Sequence, residues 1–189
     1  GANSFEGSLA SAIPIPAFNV AMKQNIDAVV KAYDRPSEDE MLPLLFYGDA
    51  LFVAPTRYLV ARMDGVRSRG WTYHMDYVFE QLLGKVPGTS HGGEVRYVFD
   101  ILDVLNANEQ IARRIGIPAG RYEPTDRDLA TARMMHKYWI QFAKKGNPNG
   151  KGLPRWPAYT PAKSNTLLIS NDGTEVKKGL REKPLDLVE

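Results

Sequence analysis

The chain contains no cysteine and only three histidines among its 189 residues. The absence of cysteine excludes disulfide bonds, thiolate nucleophiles, cysteine metal sites and the redox chemistry that depends on thiols. The histidines, His74, His91 and His136, are far apart in sequence and lack the helical HExxH pairing of zinc enzymes. We therefore expect neither a metal nor a cofactor.

An excess of one charge and a long apolar run are also missing. The 24 Lys and Arg residues nearly balance the 22 Asp and Glu residues, which leaves a net charge of +2. The longest uncharged run, Ser8 to Met22, contains Pro14 and Pro16 and is too short to cross a bilayer. The sequence therefore predicts no nucleic-acid partner and no membrane partner.

The composition, 43% hydrophobic and 24% charged, is that of a globular chain with a sizeable core. Apolar spacing predicts helices over residues 20–31 and 49–62, and Ser37 with Glu40 forms a capping-box pattern that predicts a further helix start. A second capping box, at Thr125 and Asp128, begins the clearest helix, which ends at Gly146.

Strand signals are fewer than helix signals. Residues 71–79 are dense in aromatic and β-branched side chains and predict a buried strand, and residues 166–170 predict a short one. The tail from Gly179 onward is charged and expected to be loosely held. The alternation predicts an α/β fold with too few strands for a complete doubly wound sheet, so residues 1–189 are expected to form a single part of a larger α/β domain.

The glycine-rich loop at residues 88–93 admits two chemical interpretations. In the first, Gly88, Ser90 and Gly92 form the GxSxG nucleophile elbow of an α/β-hydrolase. In the second, His91 is the general base and the serine lies elsewhere. An elbow needs a strand directly before its serine and a helix directly after it, and Ser90 is preceded by a loop. The order serine, acid, histidine would also assign the base to His136, inside a helix. Both arguments favour His91.

An acid earlier in the chain is needed to orient His91. Glu6, in a turn-like segment between Phe5 and Gly7, comes at the right point in the order. Its carboxylate would accept the Nδ1 proton of His91, fix the tautomer and stabilise the imidazolium that forms when the serine is deprotonated. Composition alone would describe Glu6 as a solvated loop residue.

Several ordered motifs resemble the type B carboxylesterases, the cholinesterase-like and para-nitrobenzyl esterase-like family. Residues 1–8 look like its acid-bearing GxNxxEG segment, and residues 90–99 look like its catalytic-histidine segment, HGxE followed by an apolar stretch. Three further segments match family signatures in register: Phe52–Pro55 with Arg57, Tyr138–Asn149 and Trp156–Tyr159. The likeness covers nearly the whole chain.

The resemblance implies a partial α/β-hydrolase fold in which Glu6 is the triad acid and His91 the triad base. Glu94, which matches the motif glutamate, is expected to be structural or to act through another residue. The family's HGGG oxyanion hole and its GESAG serine have no counterpart, so the chain resembles the C-terminal portion of such an enzyme. The lack of cysteine makes it look more like a bacterial member than a disulfide-bearing animal one.

The implied function is hydrolysis of a small-molecule carboxylic ester by the intact enzyme through an acyl-enzyme, with the chain alone inactive. The alternative is a cholinesterase-like adhesion or binding domain that keeps the fold without catalysis. A parallel sheet cut in its middle exposes an apolar edge. The expected partner is therefore the N-terminal half of the same enzyme, or a second copy of the chain.

Overall fold

A computed structural model describes residues 2–3, 16–66, 68–115 and 117–188. Their central element is a four-stranded sheet with the strand order β1-β2-β5-β6. The strands of this sheet are β1 (Ala2–Asn3), β2 (Thr72–Asp76), β5 (Asn165–Ser170) and β6 (Gly173–Lys178). A separate antiparallel pair joins β3 (Leu105–Ala107) to β4 (Gly120–Tyr122).

Helices fill the segments between the strands. They are α1 (Pro16–Gln24), α2 (Ile26–Tyr33), α3 (Leu42–Gly48), α4 (Ala54–Met63), α5 (Val95–Val98), α6 (Glu109–Ile115), α7 (Asp126–Lys145) and α8 (Glu182–Val188). A π-helix, Asp49–Val53, joins α3 to α4, and short 3₁₀ turns occupy Asp64–Val66 and Glu80–Leu82.

The sheet is parallel up to its last strand. β1 pairs with β2 in the register Ala2 to His74 and Asn3 to Met75. β2 pairs in parallel with β5, and β6 returns antiparallel through the tight turn at residues 171–172. Because parallel strands need crossover connections, the long segments between β1, β2 and β5 carry the helices. The carboxyl ends of β1 and β2 therefore lie at one edge of the sheet.

The main core lies between α7 and the sheet. Helix α7 buries a stripe of Ala132, Met135 and Tyr138, which packs on the inward residues of β2 and β5. The capping box predicted at Thr125 and Asp128 is present, so the start of this helix is confirmed. The buried members of this core are Met75, Tyr77, Tyr97, Ala132, Met135, Tyr138, Trp156, Leu167 and Ile169.

The segment after α7, from Asn149 to Trp156, packs against the amino end of β2. The Asn149 side chain forms hydrogen bonds to both the N–H and the carbonyl of Trp156, each 2.7 Å long. The Trp156 indole in turn donates to the Thr72 carbonyl at 2.9 Å. These contacts give a packing role to two of the motif segments, residues 138–149 and 156–159.

Some local expectations were wrong. The capping box at Ser37 does not form: residues 34–41 are turn and loop, and α3 begins at Leu42 with Pro43 in its first turn. Proline fits there because the first N–H groups of a helix have no intrahelical partner. The tail is not loosely held either. It forms α8, which buries Leu185. In the described part of the chain, no helix has the length and apolar character needed to span a membrane.

Candidate active site

The sheet topology brings the ends of β1 and β2 to the same edge. β1 ends at Asn3 and β2 at Asp76, in adjacent parallel strands. Glu6 follows β1 in the sequence but lies outside the described residues, so its side chain has no measured geometry. His91 follows β2 and is described. It lies in a turn and is exposed.

The loop that carries His91 is fixed by buried hydrogen bonds. The Thr89 hydroxyl donates to the Tyr77 carbonyl at 2.7 Å, which ties the loop to the chain just past β2. The Gly93 N–H donates to the Ser90 carbonyl at 2.9 Å, so His91 lies at the top of a tight turn. An exposed imidazole on an anchored backbone is accessible to a reacting group while its Cα position stays fixed.

The two positions after His91 require glycine for different structural reasons. Gly92 adopts a φ of +74°, a left-handed conformation that residues with a Cβ rarely adopt. Gly93 has an ordinary φ, but a Cβ there would lie 2.9 Å from the Ser90 carbonyl oxygen and 3.1 Å from Thr89 Cγ2. The backbone therefore accounts for the HGG pattern without assigning the glycines to an oxyanion hole.

Ser90 does not lie in a strand-to-helix elbow. β2 ends at Asp76, and a 3₁₀ turn and a run of turns and bends separate it from Ser90. The next helix, α5, begins at Val95. Ser90 is half-buried and lines a cavity of about 190 Å³ behind the loop, together with Thr89 and Tyr97.

A buried polar network lies beneath this cavity. The Asp128 carboxylate accepts hydrogen bonds from the Tyr77 hydroxyl at 3.0 Å, the Glu80 N–H at 3.1 Å and the Thr125 N–H at 2.9 Å. Burial, and then the negative charge of Asp128, raise the pKa of Tyr77 above its ordinary value. Tyr77 therefore stays a neutral donor to Asp128. The sequence identified Asp128 only as a helix cap.

The ring of Phe52, a residue distant from His91 in sequence, lies against the His91 imidazole. The two ring centroids are 5.3 Å apart, with an interplanar angle of 39°. Phe52 belongs to the π-helix that joins α3 to α4. Residue spacing predicted a regular helix over 49–62 and gave no sign of this contact, because the π-helix changes which residues share a face.

The π-helix begins at a buried carboxylate. Asp49 is fully buried and its Oδ2 accepts from the Tyr33 hydroxyl at 2.8 Å and from Arg181 at 2.7 Å. Burial raises the pKa of Asp49, and the nearby Arg181 charge opposes that shift. The sequence placed Asp49 only at the start of the helix predicted over residues 49–62.

The other two histidines lie away from the loop. His74 is buried in β2, where burial and then the positive charge of Arg181 lower its pKa to about 4. His136 is half-buried on α7, and its Nδ1 lies 2.9 Å from the Val98 carbonyl. Within the described ranges no cluster of three His, Cys, Asp or Glu side chains is arranged to hold a metal.

Comparison with known proteins gives consistent matches. A model of the carboxylesterase family matches residues 19–188. Carboxylesterase 1E of Mus musculus is 30% identical over 177 residues, which cover 90% of this chain and 27% of that protein. Carboxylesterase 1C of the same organism is 29% identical over 141 residues, covering 71% of this chain and 23% of that protein. The chain thus spans about a quarter of the length of these relatives.

A solved structure of PNB esterase has the same fold over most of the chain. The TM-score is 0.60 at 20% sequence identity, and the match covers 84% of this chain and 32% of that one. The expectation of a partial α/β-hydrolase fold is therefore confirmed.

Proposed function

The chain belongs to the carboxylesterase family, and on that basis we propose that it supplies the triad acid, Glu6, and the triad histidine, His91, of an enzyme that hydrolyses carboxylic esters. The observation that carries the proposal is the register of β1 and β2. Adjacent parallel strands end at the same edge, and the segments that follow them hold Glu6 and His91. Active sites of open α/β sheets lie at that edge.

The proposed reaction has two steps. A serine from a part of the protein outside this chain attacks the ester carbonyl, and His91 Nε2 takes the serine proton. The C–O bond to the alcohol then breaks as His91 gives that proton to the leaving oxygen. Water hydrolyses the acyl-enzyme by the same proton transfers in reverse roles, which returns the serine and releases the acid. Glu6 accepts the Nδ1 proton of His91 in a hydrogen bond and stabilises the imidazolium.

We propose that the serine and the oxyanion donors precede this chain in a longer protein, so that the chain is the C-terminal portion of the enzyme. The absence of counterparts to GESAG and HGGG supports this, as does the span of about a quarter of the relatives' length. The lack of cysteine supports a bacterial origin. The substrate class is a small carboxylic ester.

The first test compares the chain alone with the longer protein, using a nitrophenyl ester. The 189-residue chain should show no turnover above background. In the longer protein, His91→Asn and Glu6→Gln should each lower kcat by about 10³-fold or more, since triad members act as a unit. His136→Asn is the matched control and should keep activity.

Two outcomes would contradict the proposal. Full activity of His91→Asn would remove the assigned base, and turnover by the chain alone that Ser90→Ala abolishes would restore Ser90 as nucleophile. If the longer protein has no serine in a GxSxG elbow and does not hydrolyse esters, an adhesion or binding domain is the better description.

An apolar surface supports a macromolecular partner. The exposed side chains Leu59 and Phe142, 65% and 51% accessible, border an aromatic cavity of about 370 Å³ between α4, α7 and the start of β2. Large contiguous apolar patches mark interaction sites. We propose that the N-terminal half of the same enzyme covers this surface, or a second copy of the chain when that half is missing.

Self-association of the isolated chain is therefore expected. Light scattering at micromolar concentration should give a mass above 21.1 kDa, and replacing Leu59 with lysine should lower it because a charge there opposes apolar contact. Replacing exposed Arg113, remote from the cavity, with alanine should leave the mass unchanged. A monodisperse monomer for the unmodified chain would contradict the partner proposal.

A further inference from the structure

The contact between Phe52 and His91 joins two segments that are distant in sequence. The Phe52 ring is half-buried and tilted against the imidazole at a centroid separation of 5.3 Å. This separation lies in the range of favourable contacts between aromatic rings. His91 is exposed in its turn, and a ring against one face restricts the orientations that the imidazole can adopt.

The backbone that presents Phe52 is a π-helix for an identifiable reason. Pro55 has no N–H and cannot continue the hydrogen bonding of a regular helix. The Ala54 N–H instead bonds the Asp49 carbonyl, the i to i+5 pattern of a π-helix. The Phe52 carbonyl accepts from the Thr56 hydroxyl at 2.7 Å. Phe52 therefore faces in a direction that a regular helix over the same residues would not give.

The start of the π-helix is fixed by groups from distant segments. Asp49 accepts from Tyr33 on α2 and from Arg181 just before α8, at 2.8 Å and 2.7 Å. Asp49 is completely buried and Arg181 is one-fifth exposed, so water competes little for this pair. The position of Phe52 is thus set by a rigid element and not by a mobile loop.

We propose that Phe52 is a positioning residue for His91: its ring holds the imidazole in the orientation needed for proton transfer, and the π-helix anchored at Asp49 holds the ring. The inference rests on the proposed function, since it assumes that His91 is the base. Phe52 acts on the geometry of the site, by orienting the His91 imidazole. A misplaced catalytic group can lower a rate by about 100-fold without any change in its chemistry.

The test in the longer enzyme replaces Phe52 with leucine. We expect kcat to fall about 10- to 100-fold with KM changed less than about twofold, because orientation and not substrate binding is lost. Phe52→Tyr keeps the ring and should restore most of kcat. The matched control is Val53→Ala on the same π-helix, since Val53 faces a small cavity lined by His74 and Arg181; its kcat should be unchanged.

A second readout uses the 189-residue chain and needs no activity. The aromatic ring current of Phe52 is expected to shift the His91 imidazole proton resonances in NMR spectra, and Phe52→Leu should remove that shift while Val53→Ala keeps it. Absence of any change on Phe52→Leu would overturn the proposal, because the contact would not exist in solution.

The outcomes separate this inference from the proposed function. If His91→Asn abolishes activity but Phe52→Leu leaves kcat unchanged, or raises only KM, the positioning role is wrong and the proposed function stands. If His91→Asn stays fully active, the proposed function fails, and the positioning role fails with it even where the NMR shift confirms the contact.

Discussion

Replacing Asp128 with alanine is expected to lower the free energy of unfolding by about 3–5 kcal/mol, since a buried carboxylate with several donors is removed. The side chain has no exposed surface. It caps α7 through Thr125 and also accepts from the Tyr77 hydroxyl and the Glu80 N–H. Alanine leaves these donors without an acceptor in a place that water does not reach.

The size of the effect comes from the tertiary contacts and not from the cap. Loss of a capping side chain alone costs about 1 kcal/mol. Each orphaned donor adds about 1–3 kcal/mol. Asp128→Asn keeps one carbonyl acceptor and should recover about half of the loss.

Urea denaturation of the chain measures this prediction. The matched control is Asp126→Ala, which removes an exposed acid from the same first turn of α7 and should change stability by less than about 1 kcal/mol. Equal losses for the two variants would mean that the network with Tyr77 and Glu80 contributes nothing, and that only the charge at the helix start matters.

Acidification is expected to destabilise the protein through His74. Burial first, and then the Arg181 charge, lower the pKa of this imidazole to about 4, against an ordinary value of 6.5. Above pH 6.5 both folded and unfolded states hold His74 neutral, so no penalty exists. As the pH falls below 6.5, the unfolded chain binds a proton that the folded chain does not, and the folded state loses stability until the pH reaches about 4.

The expected loss between about pH 7 and about pH 5 is about 2 kcal/mol. This range lies above the ordinary titration of carboxylates. The raised pKa of the buried Asp49 carboxyl acts in the opposite direction, so the contribution of His74 is measured by comparison with variants that lack its imidazole. His74→Met, which keeps an apolar side chain in β2, and His74→Gln, which keeps a polar one, both lack the titrating group. Urea denaturation of each variant at the two pH values should show a flatter dependence than the unmodified chain.

Two His74 variants are used so that the prediction can still be tested if one of them fails to fold. If both keep the full pH dependence of the unmodified chain, another group is responsible and the buried histidine is not the acid-sensitive element. If either flattens the slope by about 2 kcal/mol over the range, His74 is that element.

Elements with a local cause were predictable from the sequence. The start of α7 follows from hydrogen bonds between Thr125 and Asp128, three residues apart, and its length follows from the apolar period. Strand β5 was predicted within one residue, and β2 was predicted longer than it is. The β3–β4 pair was missed because its short strands carry weak patterns. The catalytic roles of Glu6 and His91 remain predictions, because they follow from the resemblance to family motifs and Glu6 lies outside the described residues.

Contacts between distant segments were not predictable. Asp49 and Arg181 are 132 residues apart, and no local sequence pattern near either residue indicates that the two form a pair. The tail looked loose because its charges dominate its composition, yet Leu185 is buried and Leu187 packs on the core formed by Val29 and Leu42.

The sequence by itself determined the α/β class and the helix that covers the sheet, because each depends on neighbours within a few residues. The choice of His91 over Ser90 as the catalytic residue stays a prediction. The tertiary structure alone decided that β1 and β2 are adjacent and parallel, that Asp128 accepts from Tyr77, and that Phe52 lies against His91. The physical reason is that such contacts depend on how the chain closes on itself, and many partners are compatible with the same local pattern.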